Sequence, residues 1–189
     1  MDNISEIIYN DEDQHQTIKK YFNEETKEYR VLISIGLNEF CPTEFIYEDE
    51  EEFTKKVEAA KDKLIETVKH FNGSDNDFVK LKGITNWKYG NELPKELEGF
   101  ELYIEPQKSL EITNGSFVII NYADFSIQSD LAIYYNIFSD DFGSEMRIAG
   151  KPNVTYDFDA TSLEELEDKM KSRFSVVLKS IRNAASNEN

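Results

Sequence analysis

The sequence predicts an α+β fold in which a mainly antiparallel sheet is covered by two long amphipathic helices, at about 49–72 and 162–183. Two observations carry this: two apolar stripes at helical spacing, and many short β-branched segments separated by Gly, Pro and Asn. A chain of 189 residues buries about 70% of its surface on folding, enough for one sizeable core. A single domain over 1–189 is therefore expected. The alternative is a subdivision into a hairpin plus helix (1–72), a connecting loop region (73–99) and a β-meander plus helix (100–183).

Residues 1–27 are polar. Ile4, Ile7 and Ile8 read as one apolar turn, and 17–22 as a second, short and amphipathic. The segment Tyr29-Arg30-Val31-Leu32-Ile33-Ser34-Ile35 is rich in β-branched residues and too short for a good helix, so it reads as a strand. Residues 36–42 form a turn region, and Glu44-Phe45-Ile46-Tyr47 reads as the partner strand of a hairpin. Phe53, Val57, Ala60, Leu64, Val68 and Phe71 then recur at intervals of three or four, one stripe at the helical period. Acids at its start complement the helix dipole. Asn72-Gly73 supplies residues that tolerate the left-handed conformation at its end.

Residues 72–100 are turn-rich, with Gly73, Gly83, Gly90, Pro94 and Gly99. A short strand is expected at 78–81. A connection this long is uncommon in compact domains, which makes it a candidate functional loop. The region 100–158 is β-rich, with strands expected at 100–105, 131–138, 145–149 and 154–158. Residues 110–113 and 117–120 flank Asn114-Gly115, a pair suited to a type I′ hairpin turn. Ser162 and Glu165 have capping-box spacing. Leu163, Leu166, Met170, Phe174, Val177 and Ile181 form the second stripe. The tail, 183–189, is expected to fray.

The formal net charge is −17, from 38 acids and 21 bases. Such a field repels nucleic acid and anionic lipid and attracts a basic protein. The same excess also serves plain solubility. Aromatics make up 13% of the chain, enough to argue against disorder despite the charge. Cys41 is the single cysteine, so no internal disulfide forms, which fits a reducing compartment. No signal peptide or apolar span is evident, and a cytoplasmic location is expected.

Catalytic motifs are missing. His15 and His70 lie far apart in the chain without metal-ligand or triad spacing, and no Gly-rich phosphate loop occurs. Acids flank Cys41, which opposes thiolate formation. The acidic run Glu48, Asp49, Glu50, Glu51 and Glu52 exceeds what a helix dipole needs, since one or two acids suffice. With Asp140, Asp141, Tyr134 and Tyr135 it forms the candidate partner-binding set, because aromatics are enriched in interface hot spots. Asp157 and Asp159 are the weak metal candidates, as hard cations take oxygen ligands. They fail the EF-hand spacing.

The expected function is a non-enzymatic acidic binding protein that occludes a basic partner protein, as a toxin-immunity protein or a phage-type inhibitor that mimics nucleic acid does. No cofactor is expected, nor direct nucleic-acid or membrane binding. The oligomeric state is left open, a homodimer included. The alternative is a carboxylate-dependent, metal-assisted hydrolase.

Overall fold

The computed structural model describes residues 5–113 and 115–187. The chain divides into two compact units, Met1–His70 and Phe71–Asn189. The fold is α+β with antiparallel pairing throughout. The strands form two sheets rather than one, each with its own long helix.

The first unit begins with β1 (Ser5–Asp11), β2 (Gln16–Asn23) and β3 (Glu28–Ile35), followed by β4 (Asn38–Phe40) and β5 (Ile46–Tyr47). The order is β1-β2-β3-β4, with β5 also paired to β3. The turns expected at Ile7–Ile8 and at 17–22 are therefore strands; Ile4 lies outside the described residues. The correction has a physical cause. Ile18, Lys20 and Phe22 alternate along one face, and pairing of β2 with both β1 and β3 satisfies backbone groups that a lone helical turn leaves open. Of the partner strand expected at 44–47, only β5 pairs, while Thr43–Phe45 is a 3₁₀ turn.

Helix α1 (Glu50–Lys69) closes this unit. Asp49 caps it by accepting the Glu52 N–H at 2.8 Å. Phe53, Val57, Leu64 and Val68 are buried against the sheet, alongside Ile18, Val31, Ile33 and Ile35. Full burial of side chains of this size is worth about 1.5–3 kcal/mol each. The helix stops at Lys69, so Phe71 does not extend the stripe. Phe71 belongs to the second unit, under the Lys108 ammonium, 5.0 Å from its ring centroid.

The second unit opens with two short helices, α2 (Asp77–Leu81) and α3 (Lys88–Asn91). The strand expected at 78–81 is thus helical: Asn76 caps it by accepting the Phe78 N–H at 2.9 Å, and the turn drives Val79 into the core. Strands β6 (Glu96–Leu97), β7 (Phe100–Ile104), β8 (Leu110–Glu111), β9 (Ser116–Asp124), β10 (Ser129–Asn136), β11 (Asp141–Ile148) and β12 (Lys151–Ala160) follow. The main path is β12-β11-β10-β9-β7-β6, with β8 on β9. The hairpin expected around 114–115 is present as β8–β9, with Gly115 at φ +67°. Asn114 lies outside the described residues. The turn between β11 and β12 is Ala149-Gly150, one position earlier than the sequence suggests, and Pro152 sits on an edge strand that needs no donor there.

Helix α4 (Leu163–Asn187) covers one face of this sheet. Ser162 Oγ accepts the Glu165 N–H at 3.2 Å, and the Glu165 carboxylate accepts the Thr161 N–H at 3.0 Å. Leu166, Met170, Phe174, Val177 and Ile181 are buried as the stripe requires. Phe174 meets Tyr122 and Phe158 edge-on, at 5.2 and 5.4 Å between centroids. The tail does not fray at 183: helix continues through Asn187 because Ala185 is buried.

Candidate functional site

The two units share the charge almost equally. Residues 1–70 carry 18 acids and 9 bases, and residues 71–189 carry 20 and 12. The surplus is therefore not gathered in one unit. Within the first unit, however, it is locally concentrated. Glu50, Glu51 and Glu52 form the first turn of α1, preceded by Glu48 and Asp49. From residue 54 to 69 the helix carries five lysines and three acids.

Beside this acidic end lies a cleft of about 320 Å³. Its floor is aromatic and follows from strand register. Phe22 and Tyr29 are direct cross-strand partners on β2 and β3, with ring centroids 4.7 Å apart. Tyr29 stacks on Phe53 of α1 at 5.8 Å. The rim carries Glu6, Glu24 and Glu50, with Lys20 inside. Lys20 pairs with Glu6 at 2.8 Å. The Tyr29 hydroxyl donates to Glu50 at 3.1 Å. Burial of the Tyr29 ring pushes its phenol pKa up, and the carboxylates of Glu50, Asp49 and Glu24 push it further in the same direction. The floor thus lies in a negative field. The run at 48–52 supplies this cleft with Glu50 and part of its potential.

Sequence reasoning missed Phe22, Tyr29, Glu6, Lys20 and Glu24. Their convergence needs the β1–β2–β3 register. The usable signal was the period-2 alternation of Ile18, Lys20 and Phe22, followed by the turn-forming Asn23.

The remaining candidates are in the second unit and have structural partners there. Tyr134 and Tyr135 point to opposite faces of β10. Tyr135 is 3% exposed; its ring packs on Phe142, and its hydroxyl donates to Asp140 at 3.0 Å. Burial pushes its pKa up to about 12. Tyr134 donates to Glu145 at 3.2 Å, and burial raises its pKa strongly too. Asp140 pairs with Lys82 at 2.7 Å, a contact that holds its carboxyl below the usual range. Asp141 accepts the Ser139 hydroxyl at 2.5 Å.

Asp157 accepts the Thr155 hydroxyl at 3.0 Å and faces Arg173 at 3.5 Å. Burial raises the Asp159 carboxyl. Among the described residues, no three His, Cys, Asp or Glu side chains come together as a metal site requires. Burial also pushes the Cys41 thiol up. No helix among these residues is long and apolar enough to cross a membrane.

Compared with known protein families, curated proteins and solved structures, this chain finds no match. The functional reading therefore rests on the chemistry of the cleft.

Proposed function

We propose that this protein is a non-enzymatic acidic binding protein that occludes a basic partner protein in the cytoplasm, as a toxin-immunity protein or phage-type inhibitor does. Its carboxylates stand where the partner would otherwise meet phosphate. One observation carries the reading: an aromatic cleft rimmed by Glu6, Glu24 and Glu50, at the acidic end of α1. Aromatic rings bury area at little entropic cost and attract cations, while surrounding carboxylates speed the encounter. This pairing of residue types suits a basic surface better than a neutral or acidic one.

Native lysate passed over the immobilised protein, and over a Glu50→Gln/Glu51→Gln/Glu52→Gln variant, tests the proposal. The expected result is a basic protein retained by the parent and lost by the variant. Its association rate should fall steeply from 50 to 500 mM salt, because the screening length shrinks about three-fold over that range and the charges face each other across solvent. Retained proteins without a basic excess, or an affinity indifferent to salt, would overturn it.

A further inference from the structure

A cation belonging to this chain already lies against two residues that line the cleft, Phe22 and Glu24. Asn23 Oδ1 accepts the N–H groups of Glu25 and Thr26 at 3.0 and 3.2 Å, which tightens the turn after β2. Lys27 closes that turn at φ +59°, its N–H donating to the Asn23 carbonyl at 2.8 Å. Its ammonium consequently lies 2.7 Å from Glu24 and 5.9 Å from the Phe22 ring centroid. The arrangement is the one a cation on an aromatic face adopts, with a carboxylate beside it.

Building on the acidic-binder reading, we propose that the cleft receives one basic side chain of the partner, an arginine or lysine, and that Lys27 is an internal stand-in which the incoming cation displaces.

Three features support this. A volume of about 320 Å³ is at the low end for ligand sites and has room for one long side chain. The charges inside are unequally committed. Lys20 neutralises Glu6, while Glu50 is held only by the neutral Tyr29 hydroxyl in this cleft, which orients its carboxylate without cancelling its charge. Finally, Lys27 is weakly held. Its pair with Glu24 is exposed at 69% and 42% of the two side chains, and exposed pairs of this kind contribute little. An arginine head would add planar stacking on Phe22 and a bidentate reach to a carboxylate, neither of which the Lys27 ammonium provides.

The test titrates the full chain with capped Ala-Arg-Ala, Ala-Lys-Ala and Ala-citrulline-Ala, following ring resonances of Phe22, Tyr29 and Phe53 by NMR. The arginine or lysine peptide should shift these rings, and the uncharged citrulline isostere should not. Lys27→Met should tighten binding about five-fold by removing the internal competitor. Phe22→Leu and, as a second variant that leaves the aromatic packing alone, Glu24→Gln should each weaken it about five-fold. Equal binding of the citrulline peptide, or a Kd unchanged in Lys27→Met, overturns the proposal. Cationic peptide binding that shifts residues elsewhere rejects this cleft while leaving the acidic-binder reading standing. Absence of both peptide binding and a retained basic protein rejects the two together.

Discussion

Asp130 offers the sharpest test of the second unit. It lies on β10 opposite Arg147 of β11 and is 5% exposed. Asn121 Nδ2 donates to its Oδ2 at 3.0 Å, and Arg147 Nε is 4.0 Å from its Oδ1. These contacts do not offset desolvation, with the Glu145 charge adding to it, and the carboxyl is pushed up to about 6 from 3.8. Between those two values the folded chain keeps a proton that the unfolded chain releases, so stability falls as pH rises through that window. At about 1.4 kcal/mol per pH unit, charging Asp130 costs the fold ~3 kcal/mol above pH 7. Roughly 2 kcal/mol of this should develop between pH 4.5 and 7.5. Asp130→Asn is isosteric and does not titrate. Its amide also offers a donor to Asn121 Oδ1, which is buried without a hydrogen-bond partner. Urea unfolding followed through Trp87, the chain's single tryptophan and a member of the same core, measures both proteins at each pH. The variant should gain about 2 kcal/mol on the parent between the two pH values, a relative midpoint shift of about 1 M. A difference that stays constant with pH would refute the reasoning.

Four further outcomes are expected. Asp49→Ala should cost the first unit about 1 kcal/mol through loss of the N-cap bond, read as a lower thermal midpoint by far-ultraviolet circular dichroism, whereas Glu51→Gln should cost less than this. Lys82→Met should destabilise the second unit by about 2 kcal/mol in urea unfolding, because its ammonium serves Asp140 and the Thr161 carbonyl and lies over the rings of Tyr135 and Phe142. Gly99→Ala should cost about 2–3 kcal/mol in the same assay, since Gly99 has φ +80° and a Cβ there would lie 2.4 Å from Arg182, displacing it from Asp124 and the Glu98 carbonyl. Cys41 should react with a disulfide reagent at pH 7.4 more slowly than a free cysteine, because burial raises its thiol pKa and the thiolate is the reactive form; an equal rate would contradict its placement.

How much of this was legible beforehand depends on how far apart the deciding residues lie. The stripes of α1 and α4 were readable because side chains three and four apart share a helix face whatever the rest of the chain does. The start of α4 was readable for the same reason, from the capping-box spacing of Ser162 and Glu165; at α1 the acids marked the start, and the structure added the cap bond from the Glu52 N–H to Asp49. Residues 17–22 were misread because adjacent Lys19 and Lys20 blur the alternation, and only hydrogen bonding to β1 and β3 decides between turn and strand. Residues 78–81 carry strand-favouring Phe and Val, yet Asn76 caps a helical turn there and burial of Val79 secures it.

The sequence by itself determined the α+β class, both long helices, the β8–β9 hairpin and the acidic end of α1, all of which follow from neighbours in the chain. Tertiary structure decided the rest. It divided the strands between two sheets, sent Tyr134 and Tyr135 to opposite faces, buried Asp130, and brought Phe22, Tyr29 and Glu50 around one cleft. Periodicity and capping act over a few residues, whereas burial, field and cavity shape arise only when distant segments exclude water together.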